Sequence, residues 1–509
     1  MDQGSKQKAL RGVAWAGTAN WGCQLVSFFV YTGLARLLNP RAFGIVALAG
    51  VYIAFIQIFV TQGFGAAIIQ RSDLEEEHVD SAFWIAMATA VSFCLISILI
   101  AGDVAHFFKE PAIAPVIRWL SISIVFYALS SVPTAILTRE LNFRALAVRS
   151  LATTGFGGVV GLTMAFRGWG AWSLVGQQLV GAALGAICLW FAVPWRPHLR
   201  VSKRHLRDLY GFSLSLTGND ILWFFSQKSD QTVVGYGFGP IGLGPYSLAS
   251  KVTGLVYDAV VTPFQTVAFP AFSKLQSEPS RIESALHKFC EMSSFLCLPV
   301  FAGLAAVAPE VVPLLFGSRW AAAIPLLQLL CFYGAARVML AFMHPFMLAK
   351  GRAGLYLLMG IILSVLTLAG CLVALRWGPE SIAFSMTASM LVFFAIFLVV
   401  ARESLEIRSL PLLKSFAFPV LCSALMLVAV GALRTFVAKA IAPGGTLVIC
   451  ILAGVLLYVA IALILRRDLV KAICEMAGNS LIPSRWRGKA VLSRIEDEIE
   501  KTTVGSVEV

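Results

Sequence analysis

The sequence predicts an all-α polytopic membrane protein of about fourteen transmembrane helices, because its apolar residues come in runs long enough to cross a bilayer. The chain has 509 residues, of which 58% are hydrophobic and 13% are charged. Soluble proteins carry about 25% charged residues, so the composition excludes a soluble fold. The predicted spans are 11–36, 41–64, 81–101, 112–137, 147–166, 170–193, 208–235, 240–268, 289–316, 321–348, 353–376, 379–402, 412–434 and 443–466.

The distribution of Lys and Arg predicts the orientation of these spans. With a cytoplasmic N-terminus, 28 of the 40 Lys and Arg residues fall in cytoplasmic segments and nine fall on the opposite side. Such a bias is typical of an even number of spans with both termini in the cytoplasm. The net charge of +13 is therefore assigned to membrane topology, and no nucleic-acid partner is expected.

An internal repeat appears at an offset of about 200 residues, and a repeat of this kind is common in transporters. Residues 38–49 read LNPRAFGIVALA, and residues 238–249 read FGPIGLGPYSLA. Pro40 aligns with Pro240, and Gly44 aligns with Gly244. Six spans separate the copies, so the repeats are parallel and predict two lobes around a central cavity.

The repeat predicts how the chain is divided. The predicted parts are an N-terminal six-helix lobe (1–193), a basic cytoplasmic linker (194–207), a C-terminal six-helix lobe (208–402), two additional transmembrane helices (403–466) and a cytoplasmic tail (467–509).

Polar and ionisable side chains lie inside several predicted spans, where a charge costs about 2.5 to 3.5 kcal/mol. Charges at this depth commonly line a path for a polar substrate. The residues predicted to contact substrate are Asn20 and Gln24 in the first span, Asp220, Lys228 and Asp230 in the seventh, Lys251 and Asp258 in the eighth, and Arg337 in the tenth. The alternatives are salt bridges between helices for the charges, hydrogen-bonded helix packing for the first span, and an Arg337 that extends towards an interface.

Proline and glycine positions predict local helix geometry. Five prolines, Pro263, Pro270, Pro299, Pro309 and Pro313, predict breaks or kinks in the eighth and ninth spans. The pairs Gly157/Gly161 and Gly181/Gly185 have the four-residue spacing that allows two helices to approach closely.

Enzymatic activity is not expected from this sequence. The chain has no GxxxxGK[ST] phosphate loop and no HExxH metal motif, so neither a cofactor nor a metal is predicted. A membrane glycosyltransferase or polymerase is the alternative from another class. It is disfavoured because the chain has no long extracytoplasmic loop to hold a catalytic site.

Five segments resemble, in order, the signatures of the polysaccharide transporters, the Wzx-type flippases of the multidrug/oligosaccharidyl-lipid/polysaccharide exporter superfamily. The segments are ARLLNPRAFG (35–44), RELNFR (139–144), DQTVVGYGFGPIGLGPY (230–246), FPAFS (269–273) and FGSRWAAAIP (316–325).

The resemblance implies a bacterial inner-membrane protein that moves an undecaprenyl-diphosphate-linked oligosaccharide to the periplasmic leaflet by alternating access. It implies that cavity cations, here Lys228, Lys251 and Arg337, meet the diphosphate and sugars. A polysaccharide polymerase and a chain-length regulator are the protein partners that it suggests. A multidrug or cation antiporter and a peptidoglycan-precursor flippase of the same superfamily are the alternatives, and the glycan stays open among exopolysaccharide, O-antigen and capsule.

Overall fold

A computed structural model describes residues 3–61, 64–71, 73–200, 202–276, 278–405 and 407–467, and these residues form helices joined by short connections. The α-helices are α1 (Gln3–Leu37), α2 (Pro40–Thr61), α3 (Phe64–Gln70), α4 (Glu76–Phe107), α5 (Ile113–Arg139), α6 (Phe143–Phe166), α7 (Ala171–Ala192), α8 (Lys203–Val260), α9 (Thr262–Lys274), α10 (Pro279–Phe316), α11 (Ala323–Leu340), α12 (Met343–Ala349), α13 (Ala353–Ala374), α14 (Pro379–Ser404), α15 (Ser409–Val437) and α16 (Pro443–Leu465). Two short 3₁₀ turns, Ser318–Trp320 and Leu375–Trp377, precede α11 and α14. The all-α membrane fold class is confirmed.

Within the described residues, eleven helices are long and apolar enough to cross a membrane, or twelve when the bent pair Asp220–Val260 and Thr262–Lys274 counts as one span. The predicted spans outside these eleven are the first, seventh and eighth, which lie in α1, α8 and α9. All three carry polar side chains inside the apolar run, which lowers their mean hydropathy.

The seventh and eighth predicted spans are joined directly and do not flank a loop. They form one helix, α8, that is broken at Gly239, where φ is +60° and ψ is −164°. Only glycine adopts this backbone conformation without strain, so the break depends on this residue. A second break at Val261 separates α8 from α9, and Pro263 occupies the first turn of α9. The predicted break is confirmed next to Pro263, whereas Pro270 lies inside α9 and Pro299, Pro309 and Pro313 lie inside α10, which continues through them.

Local sequence explains where several other helices begin. The Asn142 side chain accepts a hydrogen bond from the Ala145 backbone N–H at 3.3 Å and caps the first turn of α6. Pro443 occupies the first turn of α16, where a missing N–H carries no cost.

The α6–α7 pair packs at backbone distance, as the small-residue spacing predicts. A Cβ atom added to Gly157 would lie 2.9 Å from the Gln177 carbonyl oxygen, and one added to Gly161 would lie 2.9 Å from the Gln177 Cβ. Larger residues at these positions would push the two helices apart.

The chain divides into two compact units. Unit 1 contains Met1–Leu255, Leu315–Leu326 and Gly360–Met386, and unit 2 contains Val256–Leu314, Leu327–Met359 and Thr387–Val509. The five-part division at 193/194, 207/208, 402/403 and 466/467 stays a prediction, and the predicted tail lies outside the described residues apart from Arg467.

In unit 1, the first part of the predicted linker is attached to the beginning of α4. The Trp195 indole N–H donates to Asp80 Oδ1 at 3.2 Å, and His198 Nδ1 lies 3.4 Å from Asp80 Oδ2. The Trp84 indole N–H donates to the His198 carbonyl at 2.8 Å. The Asp80 carboxylate, which is 1% exposed, thus accepts one hydrogen bond from the linker through its Oδ1.

In unit 2, α15 and α16 pack on α10. Arg434 Nε donates to Glu310 Oε1 at 2.6 Å, and the Tyr458 hydroxyl donates to the Phe295 carbonyl at 2.8 Å. Arg466, directly after α16, pairs with Glu291 of α10. Side-chain hydrogen bonds thus join both additional helices to α10.

Candidate functional site

The polar stripe of the first predicted span lies on α1. Asn20 and Gln24 are both half-buried in the structure, as are Ser27 and Tyr31 further along the same helix. The four residues fall on one face at about 100° per residue. The Tyr31 ring contacts the Phe43 ring edge-on, with centroids 5.3 Å apart, so this end of the stripe packs against α2.

Lys228 begins a chain of side-chain contacts that crosses the break in α8. Its Nζ donates to Gln231 Oε1 at 3.3 Å, and Gln231 Nε2 donates to the Ser250 hydroxyl at 3.2 Å. Gln231 precedes the break at Gly239 and Ser250 follows it. The Lys228 ammonium has three N–H donors, and this series of contacts uses one of them.

Asp230 is buried and bonded to the second half of α8. It is 4% exposed, and its Oδ2 accepts a hydrogen bond from the Tyr246 hydroxyl at 2.9 Å. Tyr246 is itself fully buried. This bond joins the two halves of the broken helix, so Asp230 has a structural role in addition to any contact with substrate.

The Tyr246→Phe variant is expected to lose about 1 to 3 kcal/mol of stability, because it leaves a buried carboxylate without its hydroxyl donor. Thermal unfolding of the purified protein in detergent measures this. Tyr236→Phe is the matched control, since Tyr236 is 43% exposed and contacts Lys109 and Phe107 through its ring.

Pairing Tyr246→Phe with Asp230→Asn tests the bond itself. The double variant is expected to lose less stability than the two single losses combined. Additive losses would show that the hydrogen bond between Tyr246 and Asp230 does not stabilise the protein.

Asp220, Lys251 and Asp258 complete the charges on α8. Asp220 is half-buried, whereas Lys251 and Asp258 are exposed in the isolated chain. Lys251 belongs to unit 1 and Asp258 to unit 2. The salt-bridge alternative for these residues stays open.

Arg337 in unit 2 is held by aromatic rings. Its guanidinium lies 4.0 Å from the centroid of the Tyr257 ring and 5.7 Å from that of Tyr333. Gln265 Nε2 contacts the Tyr257 hydroxyl at 3.3 Å and the Ala341 carbonyl at 3.0 Å, which fixes the first ring. A contact with a ring face uses the plane of the guanidinium and leaves its in-plane N–H groups able to bind an anion.

The predicted site residues are divided between the two units. Six of the eight lie in unit 1, namely Asn20, Gln24, Asp220, Lys228, Asp230 and Lys251. The other two, Asp258 and Arg337, lie in unit 2. Their assignment as substrate contacts stays a prediction.

Sequence reasoning did not identify the aromatic partners of these charges. Tyr333 precedes Arg337 by four residues on α11, so its contact was readable from helical spacing. Tyr246 and Tyr257 were not readable, because their contacts depend on the break in α8 and on packing between helices.

Two of the segments that resemble family signatures bind each other in unit 1. Arg36 Nε donates to the Leu315 carbonyl at 2.7 Å, and the Arg319 guanidinium donates to the Leu38 carbonyl at 3.4 Å. The indole N–H of the buried Trp320 donates to the Ala35 carbonyl at 2.8 Å. The bonds from Arg319 and Trp320 satisfy carbonyls at the end of α1. The bond from Arg36 satisfies a carbonyl at the end of α10, so Arg36 is a structural residue here.

A third signature segment also stabilises a helix end. The Arg139 guanidinium donates to the carbonyl oxygens of Ile68 and Arg71, each at 2.7 Å, and so caps α3. Leu141 in the same segment has a φ of +57°, which turns the chain between α5 and α6. These three segments stabilise helix ends in unit 1. Of the charges predicted to contact substrate, Asp230 lies in a signature segment, 230–246.

A family model described as "Polysaccharide biosynthesis protein" matches residues 33–325, which is more than half of the chain. The chain is therefore a membrane protein of the polysaccharide biosynthesis family, and the predicted resemblance is confirmed.

Three curated relatives give this family membership its context. The succinoglycan biosynthesis transport protein ExoT of Rhizobium meliloti is 30% identical over 320 residues, which cover 63% of this chain and 65% of ExoT. The teichuronic acid biosynthesis protein TuaB of Bacillus subtilis is 22% identical, with 73% and 79% covered. The lipopolysaccharide biosynthesis protein WzxC of Escherichia coli is 25% identical, with 68% and 71% covered.

Solved structures show the same fold. The lipid II flippase MurJ in an inward closed conformation superposes with a TM-score of 0.72 at 14% identity, covering 89% of this chain and 99% of MurJ. An inward-facing multidrug resistance MATE transporter superposes with a TM-score of 0.60 at 14% identity, covering 77% and 96%. At this identity the likeness establishes the fold alone.

Proposed function

We propose that this protein is a flippase that moves an undecaprenyl-diphosphate-linked oligosaccharide from the cytoplasmic to the periplasmic leaflet of a bacterial inner membrane. The observation that carries the proposal is the set of ionisable side chains inside apolar spans of a chain in the polysaccharide biosynthesis family. ExoT is named as a transport protein, and MurJ, whose fold is similar, is a lipid II flippase. Both support the assignment of this protein to the transporters.

The chemistry of such a substrate agrees with the residues present. A diphosphate carries negative charge that cannot cross hydrocarbon without compensation. Arg337, held on two tyrosine rings, offers the planar N–H pair that binds phosphate oxygens in a bidentate way. Lys228 and Lys251 would supply point charges. Gln24 and Asn20 on α1 would offer amides to sugar hydroxyls.

The sugar chain requires a polar path, whereas the isoprenoid chain can remain in lipid. We propose that the protein alternates between inward-open and outward-open states, so that the polar head crosses without exposure to the acyl chains. No ATP-binding motif is present in the sequence, so the chain itself offers no site for ATP hydrolysis.

Leaflet-resolved detection of undecaprenyl-linked oligosaccharides, in cells with and without this protein, tests the proposal. We expect the lipid-linked unit to accumulate on the cytoplasmic side when the protein is absent. Normal synthesis of the unit distinguishes a flippase from a glycosyltransferase, whose loss would leave the unit incomplete. An unchanged leaflet distribution, in cells with no second flippase gene, would contradict the proposal.

The same experiment separates the alternatives within the superfamily. A peptidoglycan-precursor flippase would cause lipid II to accumulate, with the polysaccharide precursor unaffected. A multidrug or cation antiporter would change drug resistance or ion flux and leave both lipid intermediates in their normal leaflets.

A further inference from the structure

Arg149 lies inside the span that α6 forms in unit 1, and it is not among the residues predicted to contact substrate. Its Nε is buried and has no hydrogen-bond partner, and the guanidinium forms no ion pair with any residue in the described part of the chain. The ionisable side chains that act on its charge are Tyr127 of α5 and Cys188 of α7, and neither is a carboxylate. A cation at this depth is stabilised by an anion, and these neighbours supply none.

Gly185 of α7 provides the space in which this side chain lies. A Cβ atom added to Gly185 would lie 3.5 Å from Arg149 Nε, 3.9 Å from its Nη2 and 3.0 Å from Thr153 Cγ2. A side chain that extends beyond Cβ would therefore meet the guanidinium. The sequence predicts Gly185 as a small residue for helix packing, and the structure adds that the guanidinium lies beside it.

The Arg149 side chain extends across to α7 and not along α6 towards water. Arg149 lies six residues after the start of α6, and Gly185 lies seven residues before the end of α7, which correspond to about 9 and 11 Å along these antiparallel neighbours. Nε is therefore close to the level of its own Cα. An arginine that snorkels instead carries its charged head to the interface. Snorkelling does not account for a buried Nε at this level.

The depth of Arg149 is within reach of a lipid headgroup. The 24 residues of α6 extend about 36 Å, so in a centred helix Arg149 lies about 6 Å inside a hydrocarbon layer of about 30 Å. The charge asymmetry of the sequence predicts that this end of α6 is cytoplasmic. Val148 of α6 and Phe191 of α7 are 55% and 86% exposed, so apolar surface suited to acyl chains lies nearby.

We propose that Arg149, held beside Gly185, binds the phosphate group of an anionic lipid from the cytoplasmic leaflet. The planar N–H donors of a guanidinium match phosphate oxygens, and basic sites between transmembrane helices on this side of a membrane recognise anionic headgroups. A membrane phospholipid and a polyprenyl diphosphate present the same phosphate chemistry, and the experiment distinguishes them. The inference goes beyond the proposed function, because a phospholipid binds here whether or not the protein transports a glycan.

Native mass spectrometry of the purified full chain in detergent tests the site, with dioleoylphosphatidylglycerol as the probe. We expect Arg149→Met to weaken binding of the first lipid about tenfold, because it removes charge-assisted hydrogen bonds. Arg149→Lys keeps the charge but loses the planar donors, so its affinity should lie between the two. Arg167→Met is the matched control, because Arg167 is exposed at the opposite end of the same helix and its loss changes the net charge equally.

A second titration with undecaprenyl diphosphate identifies the source of the phosphate. Weaker binding of phosphatidylglycerol alone in Arg149→Met would assign the site to membrane phospholipid. Weaker binding of undecaprenyl diphosphate alone would assign it to the carrier lipid, and weaker binding of both would show a site for either. Unchanged affinity for both lipids would overturn the inference.

Gly185→Leu tests the space beside the guanidinium while keeping the arginine. Its side chain would occupy the position of the guanidinium, so lipid affinity is expected to fall as in Arg149→Met. Gly155→Leu in α6 is the control, since nothing lies within 4 Å of a Cβ atom added to Gly155. Wild-type affinity in Gly185→Leu would contradict the placement of the phosphate at this position.

Photo-cross-linking of the wild-type chain keeps the test decisive if the variants fail to fold. The probes are phosphatidylglycerol and undecaprenyl diphosphate analogues with a diazirine near the headgroup, incorporated in nanodiscs and mapped by peptide mass spectrometry. With at least one probe, we expect cross-links concentrated at 145–152 and 184–191. Cross-links spread evenly over the spans with both probes would overturn the inference. Because these assays need no transport, binding that depends on Arg149 together with a negative leaflet assay would reject the proposed function and keep the lipid site.

Discussion

Replacing Arg337 by alanine is expected to lower polysaccharide output more than tenfold at normal membrane abundance. The variant would leave the substrate diphosphate without its bidentate partner, and loss of one member of a desolvated pair costs about 3 to 5 kcal/mol. A loss of about 1.4 kcal/mol already corresponds to tenfold. Polymer released by cells, normalised to immunoblotted protein, measures the effect.

Two further variants separate charge from packing at this position. Arg337→Lys keeps the charge but loses the planar donor pair, so intermediate output is expected. Arg352→Ala is the control, since Arg352 is an exposed arginine in the connection before α13. Wild-type output from Arg337→Ala would show that the guanidinium only packs on Tyr257 and Tyr333 and would remove it from the site.

The span pattern and the polar residues within it were predictable, because both follow from transfer free energies that act residue by residue. Asp230 is visible in the sequence as a charge in an apolar run, and its burial in α8 is the expected consequence of that position. The alignment of Gly44 with Gly244 likewise predicted that the two residues hold equivalent positions in the repeat. In unit 1 the Pro240 carbonyl lies against Gly44 and the Pro40 carbonyl lies against Gly244, which supports this prediction.

The partners of these residues were not predictable, because they are set by packing between distant segments. Arg36 and the Leu315 carbonyl are 279 positions apart, and no local pattern relates them. The direction of the Asp230 side chain depends on the break at Gly239, which brings Tyr246 back towards it. The sequence places a charge in a span, whereas tertiary structure decides whether that charge meets a neighbour or a ligand.

The arginines of the signature segments also show that tertiary structure decides which partner a charge meets. ARLLNPRAFG and FGSRWAAAIP contain arginines, none of which is among the residues predicted to contact substrate. In the structure, the Arg36 guanidinium donates to a backbone carbonyl at the end of α10, and the Arg319 guanidinium donates to one at the end of α1. A carbonyl at a helix end needs a donor in a low-dielectric environment, so these segments stabilise the fold of unit 1.

Replacing Trp320 by alanine is expected to cause the largest loss of stability among single substitutions in these segments, about 3 to 5 kcal/mol. Trp320 is 0% exposed, packs edge-on against Phe43, and donates its indole N–H to the Ala35 carbonyl at 2.8 Å. Alanine would leave a cavity and a carbonyl without its donor, and both add to the cost. Melting temperature in detergent and steady-state abundance in the membrane measure the effect.

Trp377 supplies a closely matched control for this substitution. It also ends a 3₁₀ turn, Leu375–Trp377, and also follows an arginine, but it is 69% exposed. Trp377→Ala is therefore expected to change the melting temperature little. Trp320→Phe should lie between the two, because it restores most of the volume but not the hydrogen bond. Equal melting temperatures for Trp320→Ala and Trp377→Ala would contradict the structural role of the contact between the two signature segments, and with it the assignment of Arg36 and Arg319 to the fold.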